Sequence, residues 1–450
     1  MLPTLLRRSF LSSIIAAIGL LVAPAPAQQV PIGAGDQMLA TKQFLFVVHD
    51  GVLHQFDIRT LKLRKKVKLT SKKEMLQLQV TAAKAKAKAN ATAKQKVATL
   101  KADLKPTSPA ETGKIVERAL TWLINHQDKD GKWDCDGFMR HDNDGGEVCT
   151  GPGNAVHDVG VTGLAIMALA TAGDDYKKQI RRAVSWLHKQ QNANGLFGAN
   201  ASHDFVYDHA IACLAVCRAC QALDRKDAFM LPMVQKGINY LETHRNPYAV
   251  WRYQPRDNDN DTSISTWCLL SYAAAKDLGL KVNKTAIKLG ETFFNQVTNQ
   301  HGHVGYTKAG QGSSRRPGMH GTRYPIDKTE VMTALGLYCR YELKQTPQKK
   351  PIMDLSAKLL MKKPPIWDEK AGTIDEYYWM FGTLAMQRTG GDQWAEWSKF
   401  LTSAVADKQC QKGNRAGSWD PIGVWSEDGG RVYTTAALAL ACHATLPPSN

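Results

Sequence analysis

The chain has 450 residues, 43% of them hydrophobic, which is enough to bury the core of a large domain. Its formal net charge is +17, but residues 59–105 alone contain fifteen Lys or Arg against two acidic residues, and residues 106–450 carry only +4. The basic charge therefore belongs to one segment and not to the folded body, which argues against a nucleic-acid-binding protein.

The N-terminus has the pattern of an export signal. Arg7 and Arg8 precede an apolar run at 14–23, and small residues follow at 25–27. The run is too short to span a bilayer comfortably, so residues 1–27 are predicted to be a signal peptide. The paired arginines leave the general and the twin-arginine routes as alternatives. We expect an exported protein, periplasmic or extracellular.

Two small segments precede the main body. Apolar and polar residues alternate on both sides of Asp50-Gly51, a tight-turn signal, so residues 28–69 are predicted to contain one small β-hairpin. Residues 70–112 form a Lys- and Ala-rich linker without an apolar face. The linker is either a solvated tether or a contact to an anionic membrane or cell-wall polymer.

Residues 113–446 repeat themselves. The first unit ends in Gln127, Gly131 and Trp133, and the second in Gln190, Gly195 and Phe197. A second stretch of small and apolar residues follows each unit, as at 161–169 and 210–216. Six such pairs predict an all-α fold, an (α/α)6 toroid of six helical hairpins with amphipathic helices outside and apolar helices inside.

These units resemble the QW repeats of squalene–hopene cyclases. In that family the Gln closes a helix end and the aromatic residue stacks on the neighbouring repeat. The segments 377–384 and 417–436 are also similar to exported bacterial prenyltransferase/squalene-oxidase repeat proteins. The resemblance implies an α/α toroid of the terpenoid cyclase and protein prenyltransferase superfamily, with an apolar central cavity.

The resemblance also bears on catalysis. A triterpene cyclase carries DxDD followed by Thr, and its middle Asp protonates the substrate. Matching Asp261-Thr262 to the end of that motif places Asn260 at the position of the acid. Protonation-initiated cyclisation is therefore disfavoured, and Asp261 and Asp259 remain the candidate catalytic residues. For Asp261 the alternative is a plain helix cap.

In these toroids the polar starts of the inner helices surround one mouth of the cavity. An acid at a helix start also caps free amide groups, so capping is the alternative for the carboxylates. The candidate ligand-binding residues are His157, Asp158, His209, Trp267, Asp375 and Tyr378.

No metal and no cofactor is predicted. A prenyltransferase zinc site needs Asp, Cys and His together, and no Asp-x-Cys stands at an inner-helix start. Cys213, Cys217 and Cys220 lie on one predicted helix, where buried small residues are the plain expectation. Cys135 and Cys149 flank a polar loop and are candidates for a disulfide in an oxidising compartment.

The sequence thus predicts an exported toroid that holds an apolar or isoprenoid small molecule or lipid in its central cavity. Whether it has cyclase- or isomerase-like activity is left open. The alternatives are a non-catalytic binding or scaffold protein and a carbohydrate-active (α/α)-barrel enzyme.

Overall fold

The computed structural model describes residues 37–40, 44–49, 52–57, 63–68, 104–105, 107–224 and 229–447. The chain divides into two compact units, Met1–Ala102 with Arg316–Thr322, and Asp103–Arg315 with Arg323–Asn450. The predicted signal peptide and most of the predicted linker lie outside the described residues. No helix in the described part is long and apolar enough to cross a bilayer.

The first unit contains a four-stranded antiparallel sheet and not the single hairpin predicted. Its strands, in the order β1-β2-β3-β4, are Gln37–Ala40, Phe44–His49, Val52–Asp57 and Leu63–Lys68. The predicted hairpin is β2–β3, with His49 opposite Val52. The two edge strands were missed because one is short and the other is rich in Lys, a composition that suits an exposed sheet edge.

Helix α1 (Pro109–Asn125) begins the second unit, four residues before the predicted start of the toroid. Ser108 accepts a hydrogen bond from the Glu111 amide, and the Glu111 carboxylate accepts one from the Ser108 amide, at 2.8 Å. This capping box, with Pro109 in the first turn, fixes the helix start. The last residues assigned to the linker therefore belong to the first helix.

The second unit alternates between outer and inner helices. The outer helices are α1, α3 (Lys177–Gln190), α5 (Met230–His244), α7 (Lys284–Val297), α10 (Ile352–Leu360) and α12 (Gly391–Ala406). The inner helices are α2 (Asp158–Thr171), α4 (Val206–Ala222), α6 (Thr262–Asp277), α9 (Val331–Glu342), α11 (Glu376–Thr389) and α13 (Ser426–Ala444). The short helices of this unit are the 3-10 turns Phe138–His141, Ala155–His157, Asp174–Tyr176, Ile326–Lys328 and Gly413–Arg415. Helix α8 (His320–Arg323) lies mostly in the segment assigned to the first unit.

The sequence periodicity explains which helices lie inside. In α3 the buried residues, Ile180, Ala183, Val184, Trp186 and Leu187, follow one helical face. In α2 every residue from 159 to 169 is buried. A helix with one apolar stripe needs one packed side, whereas a helix that is apolar all round must be surrounded.

The inner helices form a closed ring. Helix α2 packs on α4, α4 on α6, α6 on α9, α9 on α11, α11 on α13, and α13 on α2. The outer helices lie against this ring, and α1 from the start of the unit packs on α13 at its end. The predicted all-α toroid of six helical hairpins is confirmed.

Three glutamines join consecutive hairpins by the same pair of hydrogen bonds, and we call them the glutamine clamps. Gln127 Nε2 donates to Gly131 O in its own loop (2.8 Å) and to Gln179 O in the next outer helix (3.0 Å). Gln191 donates in the same way to its own loop and to α5, each at 3.0 Å. Gln409 donates to Gly417 O and to Ile115 O of α1, each at 2.8 Å. The third clamp therefore closes the ring.

The clamp of the second hairpin is Gln191, and its assignment to Gln190 was wrong. Gln191 precedes Gly195 by four residues, as Gln127 precedes Gly131. Gly131 has φ +111°, and a Cβ there would lie 2.2 Å from Arg182 O of the next outer helix. The loop must therefore carry glycine for neighbouring hairpins to approach.

We predict that Gln409→Ala destabilises the ring more than the change of one surface residue. It removes two amide hydrogen bonds, and it leaves the Arg118 guanidinium without the Gln409 Oε1 acceptor at 2.6 Å. Leaving these partly or fully buried groups unpaired should lower the free energy of unfolding by about 2–4 kcal/mol. Urea denaturation measures this loss. Gln348→Ala, at an exposed glutamine, is the control and should stay within about 0.5 kcal/mol of wild type. Equal values for both variants would contradict the clamp.

Candidate functional site at the inner-helix starts

The N-terminal ends of the inner helices meet at one end of the ring. His157 before α2 reaches Asp208 in α4, with Nδ1 3.0 Å from Oδ2. Ser263 in α6 and Tyr377 in α11 share a hydroxyl contact of 3.0 Å. The amide of Asn154, before α2, donates to the carbonyl of Asp428 in α13. These contacts bring the polar starts of the inner helices together at one end of the ring, which we call the mouth.

Asp261 is a wholly buried carboxyl group at this mouth. It caps α6, with Oδ1 accepting from the Ile264 amide at 2.9 Å. Oδ2 accepts from the Tyr306 hydroxyl at 3.3 Å and lies 3.6 Å from Arg252 Nε. Burial raises the pKa of Asp261 to about 7, although the Ile264 amide and Arg252 favour the charged form. Asp261 is therefore both a helix cap and a group that can hold a proton near neutral pH.

Two tyrosines connect Asp261 to the mouth, and the sequence reasoning missed both for this role. The Tyr253 and Tyr306 hydroxyls lie 2.6 Å apart, and the Arg252 guanidinium lies over both rings. When Asp261 is ionised, Tyr306 donates to it, and when Asp261 is protonated, the direction of the bonds can reverse. The chain of hydroxyls can carry a proton between the buried carboxyl and the half-buried Tyr253. Tyr253 lies in the loop that follows the third outer helix, α5.

Asp259 does not share this environment. Its side chain is 55% exposed and forms an ion pair with Arg252. The two Asn residues of the degraded motif have structural contacts: Asn260 Oδ1 accepts from the Val250 amide at 3.0 Å, and the Asn258 amide donates to Asn246 Oδ1 at 2.9 Å. The loop places Asp259 outward because Asp261 takes the capping position.

Aromatic side chains from inner helices α6, α9 and α11 pack together below this mouth. Trp267 Nε1 donates to the Tyr377 hydroxyl at 2.8 Å, and the Trp267 ring meets Phe381 edge-on at 5.0 Å between centroids. Tyr338 from α9 lies 5.9 Å from Phe381. The predicted residue Trp267 is part of this cluster. The cluster holds two hydroxyl groups, those of Tyr338 and Tyr377, among largely buried rings.

Tyr378 points the other way. Its hydroxyl donates to Lys363 O at 2.9 Å, and its ring packs edge-on against Trp397 of outer helix α12. Successive residues of a helix point about 100° apart, so Tyr377 faces Trp267 while Tyr378 faces the outer layer. The ligand-binding candidate on this helix is Tyr377 and not Tyr378.

His209 is wholly buried and links the inner and outer layers. Its Nδ1 accepts from the Phe197 amide at 3.0 Å, and Nε2 lies 3.1 Å from Gly237 O. Burial lowers the pKa of His209 to about 3, so the ring is neutral. Both ring nitrogens are used by the backbone, which is the contact pattern of a structural histidine.

The remaining predicted residues lie at helix starts with partners of their own. Burial opposes the charged form of His157, but the Asp208 carboxylate outweighs it and raises the pKa of His157. Asp158 accepts from the Cys135 amide at 2.8 Å and from Lys132 Nζ at 2.6 Å, and burial raises its pKa. Asp375 caps α11 through the Tyr378 amide and accepts from the Thr329 hydroxyl at 3.1 Å. These contacts fit the capping and packing alternatives.

Glu376 is a second buried acid that sequence reasoning did not single out as a site residue. Its side chain is fully buried, and burial raises its pKa to about 7. Oε1 lies 3.4 Å from the Ser426 hydroxyl, and Oε2 has no hydrogen-bond partner among the described residues. The sequence signal was faint, because an acid in a first helical turn is ordinary.

Among the described residues, two groups of side chains bring possible metal ligands together. One is Asp134, Asp136 and Asp158, where Lys132 Nζ already lies 3.0 Å from Asp134 and 2.6 Å from Asp158. The other is His126, Asp142 and Cys149. The Cys135–Cys149 disulfide considered from the sequence is wrong for this structure, since both thiols are free. Cys135 Sγ approaches Asp428 O at 3.3 Å, whereas Cys149 Sγ approaches His126.

Comparisons with known proteins agree with the ring geometry. The squalene-hopene cyclase C-terminal domain matches residues 95–206, about a quarter of the chain. No curated protein is significantly similar in sequence.

Solved structures of similar shape span most of the chain. A variant of unsaturated glucuronyl hydrolase from Streptococcus agalactiae is 13% identical, covering 78% of this chain and 95% of its own, with a TM-score of 0.50. The type II terpene cyclase MstE from Scytonema, in complex with geranylgeranyl dihydroxybenzoate, is 13% identical over 75% and 97%, with a TM-score of 0.46. An alpha-amylase from Clostridium perfringens is 10% identical over 74% and 98%, with a TM-score of 0.48.

Identities this low concern the fold alone. The closed ring of inner helices and the matched cyclase domain together support a terpenoid-cyclase-like α/α toroid fold. Carbohydrate-active enzymes share this architecture. The chemistry of the mouth must therefore be argued from its own residues.

We predict that Glu376 makes the protein less stable as pH rises from about 4.5 to above 7. Its folded pKa lies above the unfolded value, so the folded state holds the extra proton in this window and loses that advantage at higher pH. A shift of about 2.5 units corresponds to roughly 3 kcal/mol. In Glu376→Gln, the free energy of unfolding should fall less with pH, by roughly the same 3 kcal/mol. Urea denaturation across this pH window measures the difference. The exposed control Glu369→Gln should follow wild type, and a Glu376→Gln profile parallel to wild type would refute this assignment.

Proposed function

We propose that the toroid binds an apolar or isoprenoid molecule against the aromatic cluster of α6, α9 and α11, and that Asp261 protonates it. The observation that carries this proposal is the wholly buried Asp261, whose pKa of about 7 supplies a proton donor at neutral pH. The reaction class is acid-initiated isomerisation or cyclisation. A proton adds to one carbon of an alkene, and a proton lost from a neighbouring carbon restores neutrality.

Asp261 can serve in place of the acid that the degraded motif lacks. Asn260 cannot donate an ionisable proton, and Asp259 is exposed. Both oxygens of Asp261 are in contact with neighbouring groups, so the proton leaves through the Tyr306 and Tyr253 hydroxyls. The aromatic rings of the cluster suit a developing carbocation because their faces carry negative charge.

Export remains part of this proposal. The signal-peptide pattern at residues 1–27 predicts a mature N-terminus near Gln28, outside the cytosol. An isoprenoid ligand there would come from a membrane, and the basic segment 59–105 would favour an anionic surface.

The first test is binding and turnover of squalene and geranylgeraniol by the purified protein in D2O. A saturable change in tryptophan fluorescence reports binding, and one deuterium in an isomerised product reports protonation. We predict that Asp261→Asn lowers turnover by about 10²–10⁴-fold while keeping binding, because Asn is as good an N-cap as Asp. Asp259→Asn is the matched control and should leave both unchanged.

Each alternative gives a different result. Binding without turnover in wild type would leave a non-catalytic carrier or scaffold and remove the acid role. Binding of an unsaturated glucuronyl disaccharide, with none of either polyprene, would favour the carbohydrate-active alternative. Tyr306→Phe keeps the aromatic ring but removes the hydroxyl that lies between Asp261 and Tyr253. A loss of turnover in this variant would therefore come from the missing hydroxyl and not from altered packing of the ring.

A further inference from the structure

We propose that His126, Asp142 and Cys149 bind a Zn²⁺ ion. The three residues come from the long connection between α1 and α2, far apart along that loop. Their ligand atoms all lie within 4.8 Å of one another, with His126 Nε2 3.3 Å from Asp142 Oδ1 and 4.0 Å from Cys149 Sγ. Tetrahedral zinc with ordinary bond lengths would place these pairs roughly 3.3 Å and 3.6 Å apart. The His126–Asp142 pair already has this separation, and the His126–Cys149 pair is wider by a few tenths of an ångström.

The ring of His126 is held in the orientation that metal binding needs. Nδ1 lies 2.8 Å from Trp122 O, so this nitrogen carries the proton and donates it. The lone pair of Nε2 then points at Asp142 and Cys149. The Trp122 indole stacks on the imidazole at 4.1 Å between centroids. A backbone carbonyl that fixes the tautomer is the usual outer partner of a metal-bound histidine.

The other two ligands are also held by the backbone. The Cys149 amide donates to Asp142 Oδ2 at 2.6 Å, which leaves Oδ1 directed to His126. His126 is 4% exposed, Cys149 is 2% exposed, and the Asp142 side chain is 8% exposed. The three electron-rich ligand atoms, His126 Nε2, Asp142 Oδ1 and Cys149 Sγ, thus lie close together and shielded from bulk solvent. A cation between them would stabilise this arrangement.

The donor set selects the metal. One nitrogen, one sulfur and one oxygen ligand suit Zn²⁺, whereas Ca²⁺ and Mg²⁺ prefer oxygen alone. A neutral imidazole, a carboxylate and a thiolate balance the charge of the ion, with the thiol proton released to solvent. The fourth ligand would be a single water molecule enclosed with the ion.

The location gives the metal a structural task at the seam of the ring. Between Asp142 and Cys149, the loop binds the last hairpin: the Asn143 amide donates to Asn414 Oδ1 at 2.9 Å, and Arg415 pairs with Glu147 at 2.7 Å. Zinc would tie both ends of this contact segment to the end of α1. It would thereby fix the loop that joins the first hairpin to the last.

The test uses the full chain, reduced, stripped with a chelator and titrated with Co²⁺ and then with Zn²⁺. We expect saturation at about one metal per chain, with the visible bands of four-coordinate cobalt and a thiolate-to-cobalt absorption in the near ultraviolet. Cys149→Ala should abolish the thiolate band and weaken Zn²⁺ binding by more than about 100-fold. The matched control Cys442→Ala, at a buried cysteine of α13, should retain both.

Thermal unfolding provides a readout that depends on the same site. Zn²⁺ should raise the Tm of wild type and of Cys442→Ala, because a ligand that binds only the folded state stabilises it, and it should not raise the Tm of Cys149→Ala. If Cys149→Ala fails to fold, Asp142→Asn takes its place and must lose tight binding. A thiolate band that survives in Cys149→Ala, or cobalt that remains six-coordinate and unsaturable in wild type, would overturn the proposal.

Discussion

The glutamine clamp is the interaction on which the ring depends. Three outer helices, α1, α3 and α12, end in a loop whose glutamine side chain donates to one backbone carbonyl in its own loop and to one in the next outer helix. A buried carbonyl without a donor is costly, so each clamp sets the distance between two hairpins. Because the last clamp reaches Ile115 in the first outer helix, the hairpins close into a ring and leave no end repeat exposed.

Closure also creates the chemistry of the mouth. The inner helices begin at one end of the ring, so their capping carboxylates are brought together, and the surrounding hairpins bury them. Burial keeps Asp261 and Glu376 protonated up to about neutral pH, whereas an exposed acid such as Asp259 pairs with Arg252 in solvent. The same constraint that holds the ring together therefore produces groups that can donate protons.

The sequence predicted the architecture because each hairpin repeats a strong periodic signal, but it could not predict which side chains meet. The clamp was assigned one residue early, at Gln190, since neighbouring glutamines look alike until the spacing to Gly195 is fixed. Tyr378 was chosen over Tyr377 because helical phase is not readable at a helix start. Tyr306, which contacts Asp261 from a loop 45 residues away, and the cluster of His126 with Asp142 and Cys149 arise only from packing. The edge strands of the sheet were missed because a short strand and a Lys-rich strand lack apolar alternation.

Amide hydrogen exchange in helix α1 tests ring closure most directly. If the ring is closed between Gln409 and Ile115, the amides of α1 should exchange as slowly as those of α3, which lies between two hairpins in the interior of the repeat order. An open array would leave α1 as a terminal helix. Exchange in α1 that is fast, while α3 remains protected, would contradict the closed toroid.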